Sequence, residues 1–213
     1  MIYFAISVFA FTAFAVDVDF VYVDFLQLVS RDAPLDADFT PEDMVKHGGT
    51  CLNSEARTAF VEMKAALEQA GISGLRLQSA YRAYDYQRAI FDQRVKELVR
   101  TGLTRDDAVY KASQSIQHPG ASEHQLGLAV DVSINGVLSQ SFGETDAGKW
   151  LAGNCHHYGY IIRYPQDKVD VTGIIYEPWH LRYVGHPHAS IMKRTGYTLE
   201  EYLEYLKILR VVF

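Results

Sequence analysis

Ser122-Glu123-His124-Gln125-Leu126-Gly127-Leu128-Ala129-Val130-Asp131 sets a histidine seven residues before an aspartate, and Glu177-Pro178-Trp179-His180 adds a second histidine three residues after a glutamate. Two imidazoles and a carboxylate are a donor set for Zn²⁺, and a catalytic zinc site keeps three protein ligands so that a fourth position stays open to water. His124, Asp131 and His180 are the candidate ligands. A water activated by zinc also needs a group to take its proton, and Glu177 is the candidate for that role.

The same stretch predicts its own local structure. Gly127 permits a tight turn, after which Leu128, Val130 and Val132 alternate with Ala129, Asp131 and Ser133. On a strand this puts the aliphatics in the core and Asp131 on the opposite face. A carboxylate on an apolar strand is costly unless a cation or strong donors compensate it, which fits a metal ligand. Downstream, Pro178 argues against a helical Glu177–His180 segment, and alternation through Trp179, Leu181 and Tyr183 puts His180 and Arg182 on one strand face.

Outward from these segments, Asn53 is placed to cap a helix carried by Ala56, Ala59, Phe60, Met63, Ala66, Leu67 and Ala70, with Gly71 ending it. Leu75–Ser79 alternates as a strand and delivers Tyr81 and Arg82 to a turn. A helix is expected from about Asp85 to Arg100, and a shorter one, capped by Thr104 with Asp107, from Arg105 to about Ser115. A further helix runs from about Asp146 to Tyr158, ending at Gly159, with Trp150, Leu151, Cys155 and Tyr158 inward. Tyr160–Tyr164 returns as a strand, and Thr198–Leu209 closes the chain as a helix. Asp32 to Thr50, punctuated by Pro34 and Pro41, reads as a loop-rich lead-in. Helices mixed with short, hairpin-like strands predict an α+β domain built on a small antiparallel sheet.

Four segments together carry a family resemblance. S-x-H-x-x-G-x-A-x-D (Ser122 to Asp131), E-x-W-H (Glu177 to His180), Ser79-Ala80-Tyr81-Arg82 followed by Gln87, and Arg163-Tyr164-Pro165 occur in the order found in the zinc peptidases of bacterial cell-wall metabolism, the LAS or M15 group. The chain resembles that group from about Leu26 to Gly185, and more its VanY- and LdcB-type carboxypeptidases than its VanX-type dipeptidases. Hedgehog amino-terminal domains share the fold. The resemblance implies one Zn²⁺ per chain held by His124, Asp131 and His180, with Glu177 as catalytic base. Arg82 pairs with the peptide's terminal carboxylate or with the oxyanion of the reaction, and Gln87, Ser122 and Tyr164 contact the peptide. Tyr81 and Trp179 read as packing residues. Glu123 occupies a position the pattern leaves open and receives no role, and the other histidines read as surface or loop residues, with His118 nearest the metal loop.

The implied activity is removal of the terminal D-alanine from peptidoglycan stem peptides, with D,D-carboxypeptidase favoured and L,D-carboxypeptidase the variant. A wall-peptide endopeptidase and a non-catalytic zinc-stabilised peptide-binding domain are the rivals; retention of Glu177 argues against the second.

The 213 residues, 48% apolar and 22% charged, fit one domain of ordinary globular composition. We divide them into an N-terminal apolar segment with a lead-in strand, residues 1–25, and a zinc carboxypeptidase domain, residues 26–213. A formal net charge of -6 argues against nucleic acid as a partner. The uncharged run from Met1 to Ala15 ends in Ala13-Phe14-Ala15, a small-x-small pattern that suggests export. A short membrane attachment and an ordinary buried segment are the other readings of it. Export places the protein in the bacterial cell envelope, outside the cytoplasm. Cys51 and Cys155 would then be able to pair, although Cys155 reads better as a buried thiol used as a small apolar residue. Nothing in the pattern specifies an oligomeric state.

Overall fold

The computed structural model describes residues 25–212; the expected lead-in strand and export-like run lie outside them. Two strands, β1 (Met44–His47) and β2 (Thr50–Asn53), pair as an antiparallel hairpin. This hairpin falls in the stretch read as loop; the Gly48-Gly49 turn was its available signal. Then come α1 (Ser54–Gln69), β3 (Arg76–Ser79), α2 (Tyr84–Arg100), α3 (Arg105–Ala112) and β4 (Ala129–Ser133). They are followed by α4 (Asp146–Asn154), β5 (Tyr160–Ile162), α5 (Val169–Thr172), β6 (His180–Tyr183), α6 (His188–Thr195) and α7 (Leu199–Val212).

Capping chemistry sets several boundaries where the sequence predicts them. The Asn53 side chain accepts from the backbone N–H groups of Glu55 and Ala56 at 3.0 and 3.3 Å, satisfying donors that the first helical turn leaves free. Thr104 accepts from Asp107 N at 3.2 Å. Thr198 and Glu201 exchange backbone-to-side-chain bonds at 2.8 and 3.3 Å, a capping box that starts α7. Two helices are shorter than their periodicity suggests. After α4 the chain tightens into a 3₁₀ turn, Cys155–Tyr158, closed by Gly159 at φ 73°. α3 stops at Ala112, where the Ser113 hydroxyl turns back onto the Tyr110 carbonyl at 2.7 Å.

The main sheet has strand order β3-β4-β6-β5, antiparallel throughout. Val130, Val132, Leu181 and Tyr183 face a core shared with Phe60, Met63 and Leu67 of α1 and Leu151 of α4. Tyr160 reinforces this contact by donating its hydroxyl to the Ala56 carbonyl at 2.7 Å. The opposite face is also covered, so β4 is buried along its whole length. There Ile161 meets Val184, just past β6, and Met192, Leu199 and Tyr202 of the C-terminal helices. Helices α2 and α3 pack on each other through Phe91, Val95, Leu98, Ala108 and Ala112. No helix among the described residues is long and apolar enough to cross a membrane.

Candidate active site

Sheet register brings the two quoted segments together. Asp131 of β4 pairs directly with His180 of β6, and Ser79 at the end of β3 flanks Asp131 on its other side. Directly opposed residues of an antiparallel pair present their side chains on the same face. His124 arrives from a 3₁₀ turn, Glu123–Leu126, that ends at Gly127 with φ 71°. A side chain at Gly127 is strained by that φ, which disfavours L-residues, and its Cβ would also have to displace the end of the Met44 side chain. The turn is pinned from outside, as Asn53 N donates to Gly127 O at 2.9 Å and Gln125 donates to the Asp36 and Phe39 carbonyls at 3.0 and 3.3 Å.

One nitrogen of each candidate histidine and one Asp131 oxygen lie within 4.8 Å of one another, all on buried residues. His124 Nδ1 lies 2.6 Å from the Ala80 carbonyl oxygen, which can only accept. Nδ1 therefore carries the proton, and the unprotonated Nε2 faces Asp131 Oδ2 at 3.2 Å. His180 turns Nδ1 to the other Asp131 oxygen at 2.9 Å. Burial, with the Arg82 charge second, lowers the His124 pKa to about 4, so this ring is neutral at pH 7 as a metal ligand must be. Burial alone would lower His180 too, but the hydrogen bond to Asp131, with the nearby Glu123 carboxylate next, outweighs it and raises the pKa to about 9. Without a cation the site therefore holds a proton there. His124 Nε2 is buried with no hydrogen-bond partner among the described residues, which is costly in a folded interior and is what a metal-ligand atom requires. Donor types, spacing and this orphaned nitrogen fit zinc.

Glu177 lies beside this cluster, its Oε2 4.0 Å from His180 Nδ1. Its backbone N–H donates to the Tyr164 carbonyl at 3.1 Å, and two residues on the Trp179 carbonyl accepts from Val132 N at 3.0 Å. Glu177 to His180 forms a tight turn, closed by the His180 N–H donating to the Glu177 carbonyl at 3.1 Å, and β6 begins at His180; the turn is non-helical, as Pro178 predicts. Burial pushes the Glu177 pKa up to about 8, with His180 and Arg82 pulling it down and Asp131 adding to the rise.

Asp131, Glu177 and His180 open onto a cleft of about 320 Å³ also lined by Arg82, Ser122, Gln117 and Tyr164 among polar residues and by Ile90, Ile116, Leu138, Ile174 and Trp179 among apolar ones. Arg82 Nη1 is 3.9 Å from Asp131 Oδ2. The Tyr164 ring lies 5.0 Å from that of His180. A larger hollow of about 500 Å³ beside Phe39–Asp43 contains none of the three candidate ligands.

Gln87 is placed differently from the other expected substrate contacts. It is buried on α2 and donates to the Gln117 carbonyl at 2.7 Å, so Gln117 faces the cleft and Gln87 stands behind it. Trp179, expected only to pack, both packs on the core and lines the cleft. His118 stacks on Phe91 with centroids 4.3 Å apart and is not part of the cleft wall. Cys51 and Cys155 are both free.

Glu123 is the residue that sequence reasoning passed over. It is fully buried, with Arg163 Nε donating to Oε1 at 2.7 Å and Arg182 Nη1 2.9 Å from the same oxygen. Burial would raise its pKa, but the two guanidiniums override that and hold the carboxyl well below the usual carboxylate range. No local pattern signals this, because its partners lie on other elements.

Known proteins resemble the chain over this same region. The family described as VanY, D-alanyl-D-alanine carboxypeptidase, matches residues 49–186. A D-alanyl-D-alanine carboxypeptidase of Enterococcus faecalis (strain ATCC 700802 / V583) is 35% identical over 178 residues, covering 84% of this chain and 65% of the relative. The chain thus spans just under two thirds of that relative's length. Among solved structures, the vancomycin-resistance D,D-pentapeptidase VanY from the VanB-type cassette, in complex with Zn(II), superposes with a TM-score of 0.76 at 35% identity, covering 84% of this chain and 99% of the other. The LdcB LD-carboxypeptidase gives a TM-score of 0.73 at 38% identity, covering 83% and 84%.

Proposed function

The chain belongs to the VanY family of D-alanyl-D-alanine carboxypeptidases, and from that membership and the site geometry we propose that it is a zinc carboxypeptidase that removes the terminal D-alanine from peptidoglycan stem peptides. The observation that carries this reading is the convergence of His124, Asp131 and His180 within 4.8 Å at a cleft whose wall also presents Glu177 and Arg82. His124 through Nε2, Asp131 through a carboxylate oxygen and His180 through Nδ1 would hold the ion. When bound, zinc supplies positive charge that acidifies water and polarises a carbonyl.

The remaining work belongs to side chains of the chain itself. Glu177 takes the proton of the attacking water and passes it to the nitrogen of the departing D-alanine. Its place beside the three candidate ligands suits both halves of that transfer, since one positioned carboxylate can accept a proton and return it. Arg82 offers planar, permanently charged N–H donors to the substrate's terminal carboxylate or to the oxyanion that develops as the peptide bond breaks. Ser122 and Tyr164 supply further polar contacts from the cleft wall, and Gln87 acts through the Gln117 segment it braces. The apolar wall, Ile90, Leu138 and Ile174, provides surface for the methyl groups of alanine.

The D,D activity is the favoured reading, supported by the VanY match. Likeness to LdcB at 38% identity favours L,D cleavage as the second. Action outside the cytoplasm, in the cell envelope, follows from the substrate. Mass spectrometry of products from matched stem pentapeptide and tetrapeptide, with zinc-loaded protein and a chelated control, tests the activity. Loss of one alanine from the pentapeptide alone identifies a D,D-carboxypeptidase, and loss from the tetrapeptide an L,D-carboxypeptidase. Cleavage of neither by protein with zinc bound refutes the proposal.

A further inference from the structure

Glu123 precedes the candidate ligand His124, yet its side chain serves the other histidine. Its Oε1 is fixed by Arg163 and Arg182, and both arginines are anchored on their far sides. Arg163 forks onto Glu200 of α7 at 2.6 and 3.0 Å. Arg182 donates to the Phe25 and Gln27 carbonyls at 2.9 and 3.0 Å and to the Tyr183 carbonyl at 3.0 Å. The carboxylate is therefore clamped in orientation, and its second oxygen, Oε2, points where the clamp directs it.

That oxygen is buried and, among the described residues, makes no hydrogen bond; 3.8 Å away is His180 Nε2, also buried and without one among them. The separation is longer than a hydrogen bond, but two orphaned polar atoms facing each other in a dry interior are complementary only if one carries a proton. A carboxylate so strongly paired to arginines has none to give. The proton must be on the imidazole, and the other ring nitrogen, Nδ1, is the atom turned to Asp131 at 2.9 Å.

We infer that Glu123 is a positioning residue: its Oε2 holds a proton on His180 Nε2 and so presents the Nδ1 lone pair of His180 to the metal. The last clause rests on the zinc reading above, whereas the location of the Nε2 proton is a property of the chain alone. Carboxylates that hold the distal N–H of a ligand histidine orient the ring and raise its basicity. Here that carboxylate is tied in turn to α7 through Arg163 and to the Phe25–Gln27 backbone through Arg182.

Glu123→Gln gives a directional test. Both arginines address Oε1, so the amide oxygen takes that position and the NH₂ replaces Oε2. A donor then faces His180 Nε2, which must give up its proton. In protein carrying ¹⁵N-labelled histidine, long-range ¹H–¹⁵N spectra should show a protonated, pyrrole-type Nε2 at His180 in the native chain, with and without zinc. The same nitrogen should be pyridine-type in Glu123→Gln. Zinc affinity, read by competition with a chromophoric chelator, should weaken about 10- to 100-fold. Glu200→Gln, which loosens the outer end of the clamp without facing His180, should lower stability but keep both the Nε2 proton and the zinc affinity.

An unprotonated Nε2 in the native chain overturns the inference, as does a Glu123→Gln protein that keeps the proton and native zinc affinity. If Glu123→Gln does not fold, Glu123→Asp retains the charge against the arginines while withdrawing the second oxygen; unchanged zinc affinity in that variant also overturns it. A native chain that keeps the Nε2 proton but takes up no zinc refutes the zinc reading and leaves the assignment of the proton to Glu123 standing.

Discussion

Replacing Glu177 by glutamine should cost activity and add stability, and the two effects have one cause. In the metal-free protein, burial raises the Glu177 pKa from 4.5 to about 8. An acid with a raised folded-state pKa leaves stability intact below its unfolded pKa and erodes it as pH climbs toward the folded value. Each pH unit in that window carries about 1.4 kcal/mol, so at pH 7 keeping this carboxyl in place costs the apoprotein about 3 kcal/mol. Glutamine has nearly the same shape and no charge to bury. Glu177→Gln should therefore raise the melting temperature of the chelated protein at pH 7 by about 6–12 °C for a domain of this size.

The difference should shrink toward pH 4.5 and widen to pH 8. It should also be smaller with zinc bound, because a neighbouring dication favours the carboxylate. Turnover should fall about 10²- to 10⁴-fold, the usual contribution of a general base, with zinc still bound. Calorimetric melts of chelated native and substituted protein from pH 5 to 8, alongside product mass spectrometry, read both effects. A substitution that leaves the chelated protein no more stable at pH 7, with no pH-dependent gap, refutes the argument that Glu177 is held in a desolvated, functionally strained position.

Zinc uptake should release a proton, because His180 sits at about 9 without the metal; chelator competition should show affinity rising about tenfold per pH unit from pH 6 to 8. Phe60→Ala should cost about 3–5 kcal/mol in urea unfolding by opening a cavity under the sheet, since Phe60 is 1% exposed, while leaving zinc affinity unchanged. Cys155, whose thiol burial pushes up to about 12, should resist a thiol reagent at pH 8 until denaturant is added, whereas a fast reaction in the native state would contradict its place in the core.

Local features were legible because their causes are local. The Asn53 and Thr104 caps bond to backbone two or three residues away, and the alternation from Leu128 to Ser133 describes a strand whichever partner it meets. What covers a strand's second face is not written in its own alternation. Asp131 was correctly set opposite the aliphatics, but the burial of that face depends on Arg182, Arg163 and the C-terminal helices. Gln87 shows the same limit: the family resemblance implied a contact with the peptide, and the side chain bonds to the Gln117 carbonyl beside the cleft.

Sequence alone singled out the segments that gather at the site, since residue type, spacing and family resemblance together pointed to His124, Asp131, His180 and Glu177, and it determined most of the helices. Tertiary structure decided how those residues face one another. The pairing of Asp131 with His180 comes from sheet register; the choice of Nε2 in His124 comes from the Ala80 carbonyl; and the orientation of the Glu123 carboxylate comes from Arg163 and Arg182. Each depends on partners on separate elements, whose meeting is set by the packing of the whole core rather than by any run of neighbouring residues.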